Sequence, residues 1–311
     1  MAGGLIPPTK EARALAVTTD NSAPLPSLTA PHRWARSFAR SGVLLATPAL
    51  LLLFFMFLLP VALLLARSIL EPSPGLQNYA ELLSSKSYRT ILANTFQVSL
   101  TVTVVTLIIG FPVAWLLAVV PRVWSAIVFG VVLLSMWTSL LTRTFAWMIL
   151  LQSTGLINRS LMAIGLINEP LALTNNMVGV TIGMTYILLP YIVLPLYGSM
   201  KSIDPEILRA AALCGATRLQ AFIHVFLPAC APGAAAGCLM VFVMSLGYFV
   251  TPVLLGGPST MMLAELIVQL VQSLLNWGLG AAAAFILFTV TLAAYAVQIR
   301  IFDPMSPKGK G

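Results

Sequence analysis

Apolar residues run almost unbroken through six windows of the chain, at about residues 43–66, 94–120, 125–149, 176–199, 233–255 and 278–300. A helix crossing roughly 30 Å of hydrocarbon needs about 20 apolar residues, and each window meets that length. The pattern predicts an all-α, polytopic membrane protein with six transmembrane helices. Pro121 to Trp124 leave so short a link that the second and third spans must form an antiparallel hairpin. Pro72, Pro74 and Gly75 precede an amphipathic helix through Tyr79, Leu82 and Leu83. The 150–175 connection, with Gly155, Asn158, Gly165 and Pro170, holds a short packed helix through Leu156, Leu161 and Ile164. Within the spans, Gly179 with Gly183 and Gly233 with Gly237 let helix backbones approach, whereas Pro112, Pro190, Pro195 and Pro252 predict kinks.

One interruption differs from the others. Residues 201–232 form a mildly charged, amphipathic island between the fourth and fifth spans. Asp204 can cap a helix that begins at Pro205, Glu206 suits its first turn, and Gly215 can close it in the left-handed conformation. A second helix starts at Thr217 and carries Leu219, Phe222, Ile223 and Phe226 on one stripe until Pro228 ends it. Ala210, Ala211 and Ala212 give the first helix a smooth face for close approach by a partner, and the aromatic stripe anchors the second to the bundle. The alternative is an ordinary interfacial loop helix.

Composition agrees with the windows: hydrophobic residues are 59% of 311 and charged residues 8%, more apolar surface than a water-soluble domain can cover. The net charge of +8 is a matter of topology. With the N-terminus inside, Lys10, Arg13, Arg33, Arg36, Arg40, Arg122, Lys201, Arg209, Arg218, Arg300, Lys308 and Lys310 are cytoplasmic, and only Arg67, Lys86, Arg89 and Arg159 are external. Lys and Arg are retained on the cytoplasmic side during insertion, so both termini are expected inside. No basic patch on a soluble fold suggests nucleic acid as a partner. Residues 1–42 read as a flexible cytoplasmic basic tail, 43–302 as the transmembrane domain and 303–311 as a short cytoplasmic tail. His32 to Arg40 is either a short helix on anionic lipid headgroups or an unstructured basic flank. The first apolar run reads as an anchor rather than a cleaved signal. Cys214, Cys230 and Cys238 read as reduced thiols.

Several chemistries are missing. No G-x-x-x-x-G-K-[ST] occurs, and LLGGPST at 254–260 lacks the phosphate-reaching lysine, so the chain is expected to bind no ATP. With two histidines and no H-E-x-x-H there is no zinc-protease ligand set, and no catalytic residue or metal is assigned. Arg143 is the one charge well inside a span, where an ionisable group either faces the bundle interior or an aqueous path, or snorkels or pairs with a neighbouring subunit. Trp137, Trp147, Tyr186, Tyr191, Tyr248 and Phe249 could hold ammonium groups over their ring faces, or serve as core and interfacial aromatics. No acid lies in a span and Arg143 repels cations, so a cationic substrate and an anionic one, such as an amino-acid derivative or opine, both stay open. An ion-coupled secondary transporter would need an intramembrane coupling site, and a structural or signalling scaffold would bind no ATPase.

The run LRAAALCGATRLQAFIHVFLPACAPG at 208–233 resembles the cytoplasmic signature loop of ABC-importer permeases. LLTRTFAWMILL at 140–151, GLIN at 155–158, YILLPYIVLPLY at 186–197 and SLGYFVTPVLLGGP at 245–258 look like the spermidine/putrescine branch, and the resemblance spans roughly residues 43–302. It implies a type I permease fold in a bacterial inner membrane, transporting a polyamine. The implied partners are a second permease subunit, two copies of an ABC ATPase carrying ATP and magnesium, and an external substrate-binding protein. In that family the loop's first helix enters a cleft on the ATPase, which by resemblance puts Asp204, Leu208, Arg209, Ala210, Ala211, Gly215 and Ala216 in the contact. Arg209 stands where the family usually has Glu, and Cys214 where it usually has Leu.

Overall fold

The computed structural model describes residues 47–302; the expectations for residues 1–42 and 303–311, the His32–Arg40 helix included, lie outside them. The chain divides into two compact units, Met1–Pro60 and Val61–Gly311. All regular structure among the described residues is helical. In chain order the helices are α1 Thr47–Leu70, α2 Gln77–Ser84, α3 Lys86–Val119, α4 Arg122–Trp137, α5 Leu140–Leu151 and α6 Leu156–Ala163. They continue with α7 Met177–Lys201, α8 Pro205–Leu213, α9 Arg218–Leu246, α10 Val250–Leu255, α11 Leu263–Gln272 and α12 Trp277–Phe302. Six stretches of the described chain are long and apolar enough to cross a membrane: α1, α3, α7, α9, α12 and Leu140–Ala163, which comprises α5 and α6.

Two predicted spans are broken. The 125–149 window is α4 and α5, separated by extended residues Thr138 (ψ 145°) and Ser139 (ψ 133°). Thr138 Oγ1 donates to the Ser135 carbonyl and Ser135 Oγ to that of Val132, both at 2.7 Å, so hydroxyls compete with the helix ladder here. The 233–255 window ends at Leu246, breaks at Gly247–Phe249 and resumes as α10. That restart puts Pro252 in a first turn, where its missing N–H would be unpaired anyway.

Pro228 was expected to end the island's second helix, and it does not: α9 runs on through it. Proline removes one amide hydrogen and its ring presses on the carbonyl four residues back. Just ahead of it, Phe222–Phe226 widens into a π turn, closed by Leu227 N donating to Phe222 O, which makes room for the ring. The same device, Phe54–Leu58 closed by Leu59 N on Phe54 O, precedes Pro60.

The larger unit centres on α7. Its Met184, Leu188, Ile192, Val193 and Leu196 are fully buried, in one core with Val98 and Val102 of α3 and Cys230 and Val241 of α9. Close approach depends on glycine: a Cβ on Gly237 would lie 3.1 Å from Ile192 Cα and 3.2 Å from Ile192 O. A second core joins Leu82 of α2, Leu263, Leu266 and Leu270 of α11, and Leu279, Ala282 and Ala283 of α12. Beside it, Asn78 Nδ2 donates to the carbonyls of Ser68 and Glu71, Arg67 pairs with Glu71 at 3.6 Å, and its guanidinium lies 5.5 Å from the Trp277 ring.

Both short connecting helices form, each with a burial pattern the stripes do not fully give. On α2, Leu82 is buried and Tyr79 packs on the core, but Leu83 is 59% exposed. On α6, Leu156 and Ile164 are exposed, while Ile157 packs inward and Asn158 is fully buried. Asn158 Nδ2 donates to the carbonyls of Gln152 and Leu171, and its Oδ1 accepts the Leu171 amide. One amide side chain thereby ties the start of α6 to the chain leading into α7.

Candidate functional site

The island folds from its own caps. Asp204 accepts the Glu206 amide at 2.9 Å and Pro205 occupies the first helical position of α8. Gly215 has φ +85°, and the amides of Gly215 and Ala216 return to the carbonyls of Ala212 and Ala211, a glycine-closed helix end. Thr217 and Gln220 then form a reciprocal capping box that starts α9. Two capped ends around one left-handed glycine fix the angle between α8 and α9 without help from a partner.

Ile203 and Leu208 pack on the core, and Ala211 and Ala216 are half-buried. Glu206, Ile207, Arg209, Ala210, Ala212, Leu213 and Cys214 face solvent. The three alanines therefore do not share one face. The outward face instead carries Ile207, Ala210 and Leu213 at three-residue spacing, with Leu213 90% exposed. Leu213 escaped the sequence reading because the alanine run drew the helix face one position away from it. Of the second stripe, Phe222 packs edge-on to Phe111 and Trp115 and stacks on Phe226, whereas Leu219 and Ile223 are exposed.

A second group lies within the bundle, where α5, α7 and the Gly247–Phe249 break meet. The Trp147 and Tyr186 rings are 5.4 Å apart. Tyr248 interacts electrostatically with both Arg143 and Tyr191. Arg143 Nε is buried with no hydrogen-bond partner. Five of the seven path candidates fall into two groups, Trp147 with Tyr186 and Tyr248 with Arg143 and Tyr191, whereas Trp137, 89% exposed, and Phe249 belong to neither. The cluster offers ring faces, phenol hydroxyls and one guanidinium. No group of three or more metal-ligating side chains is found among the described residues.

Residues 121–304 match the family model described as the binding-protein-dependent transport system inner membrane component. The chain belongs to that family. It is 34% identical over 215 residues to the spermidine/putrescine transport system permease protein PotB of Escherichia coli (strain K12), covering 69% of this chain and 78% of that protein. It is 31% identical over 240 residues to PotB of Haemophilus influenzae, covering 75% and 84%. In fold it resembles a chain of a bacterial alginate ABC transporter crystallised with an alginate pentasaccharide-bound periplasmic protein, with TM-score 0.68 and 19% identity over 86% of this chain and 94% of that one. The protein is thus a multi-pass inner-membrane permease subunit of an ABC importer. It is a transport subunit and no enzyme: ATP hydrolysis resides on a separate subunit, and a substrate-binding protein belongs to the same system.

Proposed function

We propose that this chain, with a second permease subunit, forms the membrane path for a polyamine of the spermidine/putrescine type. Two copies of an ABC ATPase, holding ATP and magnesium, drive the cycle, one of them docked on α8, and an external binding protein delivers the substrate. The N- and C-termini are cytoplasmic in this reading, supported by the twelve-to-four distribution of basic residues. The observation that carries it is α8 itself: a doubly capped helix with Ile207, Ala210 and Leu213 turned away from the bundle. Apolar side chains so exposed on a polar loop mark a surface that another protein covers. Closure of the ATPases then moves α8 as a rigid lever through Leu208 and Ala211 into the bundle.

Arg209 is exposed and lacks an ion-pair partner among the described residues, so a matching ATPase cleft supplies an acid where the usual family partner would supply a base. The polyamine assignment is supported by the relatives' substrates and by the aromatic faces of Trp147, Tyr186 and Tyr248. Uptake by the reconstituted complex tests it. Spermidine and putrescine should compete with each other, and acidic amino acids should not compete; the reverse would transfer the path to an anionic substrate.

A further inference from the structure

Helix α11 has two unlike faces. Leu263, Ala264, Leu266 and Leu270 are buried, with the three leucines in the core shared with α2, α3 and α12. On the other side Glu265, Gln269 and Gln272 follow at i, i+4 and i+7, which is one stripe of a helix. Gln269 and Gln272 are exposed and Glu265 is half-buried. Glu265 has no cationic partner: the ion pair formed among the described residues is Arg67–Glu71.

The stripe runs inward from the end of the bundle opposite α8. Leu263 N donates to Thr95 Oγ1 at 2.7 Å, and Thr95 lies nine residues inside α3 from Lys86, roughly 14 Å at 1.5 Å per residue. A Cβ on Gly280 would lie 2.8 Å from Val271, so α11 turns back along α12 with Gln272 outermost and Glu265 deepest. The depth therefore applies to Glu265, with Gln269 one turn outward and Gln272 near the outer end; a carboxylate at such depth is not left facing hydrocarbon, and side chains of this kind face water or the bundle interior.

We propose that Glu265, Gln269 and Gln272 line the outer part of the translocation path and form a cation-receiving site for the ammonium groups of a linear polyamine. Successive stripe residues are separated by roughly 6 and 4.5 Å along the helix, comparable to the reach of a four- or three-carbon spacer between ammonium groups. The glutamine carbonyls accept ammonium hydrogens and Glu265 supplies the negative charge that the Arg143 cluster lacks. The cation specificity rests on the polyamine reading above; the water-lined stripe does not.

Two arms test this in the complete reconstituted importer. In a cysteine-free background, the Glu265→Cys and Gln269→Cys variants should react with a membrane-impermeant methanethiosulfonate at least about tenfold faster than Leu266→Cys, and spermidine should slow both. Separately, Glu265→Gln should raise the spermidine KM about fivefold, the loss of one partly screened ion pair, with kcat within about twofold, and Glu265→Asp should recover most of the affinity. Wild-type importer that moves no spermidine would overturn the substrate reading. Wild type that moves it while the Glu265→Gln KM is unchanged, or while positions 265 and 269 react no faster than 266, would overturn the stripe.

Discussion

Replacing Gly237 with alanine puts one methyl group between α7 and α9. The added carbon would sit 2.8 Å from Ile192 Cγ1, 3.1 Å from its Cα and 3.2 Å from its carbonyl oxygen. Carbon atoms pack best at about 3.5–4.0 Å, so relief requires a gap of several tenths of an ångström. Rotation of the Ile192 side chain frees Cγ1 but leaves the backbone contacts, and Ile192 is itself fully buried. The helices must separate, at a cost of about 1–3 kcal/mol for overpacking. Gly130, inside α4, is the control: nothing lies within 4 Å of its added Cβ. Alanine there gains helix propensity of about 1 kcal/mol. The assay is the apparent melting midpoint of the purified permease, with shifts of about 2–4 °C expected per kcal/mol. Gly237→Ala should lower it and Gly130→Ala should hold or raise it. Equal midpoints for the two variants would refute the claim that glycine sets the α7–α9 distance.

Two further variants probe the loop and the connections. Gly215→Ala meets no neighbour within 4 Å but must adopt φ +85°, a strain of about 1–2 kcal/mol; the permease should assemble with lowered uptake per ATP hydrolysed, measured by paired transport and phosphate-release assays. Asn158→Ala leaves the Leu171 amide and carbonyl without their partner, while the Gln152 carbonyl keeps the Gly155 amide, about 1–3 kcal/mol for each group that stays dry; limited proteolysis of the 152–176 connection should accelerate.

The membrane-spanning pattern was legible because twenty apolar residues in a row have few other uses. So was the island, whose caps at Asp204, Gly215 and Thr217 are local chemistry that needs no tertiary context. The breaks at Thr138–Ser139 and Gly247–Phe249 were hidden, since an apolar window registers neither two hydroxyls competing for carbonyls nor a proline that needs a first turn. Pro228 misled in the opposite direction, because a π turn one residue upstream accommodates its ring. Asn158 and Glu265 owe their environments to residues distant in sequence, and Glu265 also fell between the windows searched for spans. Arg143 stood out by its charge, but its nearness to Tyr248 depends on how α5 and the α9 break come together.

The central claim is that an ATPase seats on the outward face of α8, and the most direct measurement is how much ATPase copurifies with a tagged permease carrying Leu213→Asp. Leu213 is 90% exposed, so the charge should leave the bundle folded and the second permease subunit bound, while the ATPase falls to a small fraction of its wild-type amount and ATP-driven uptake is lost. Wild-type recovery of the ATPase together with undiminished uptake would contradict the account.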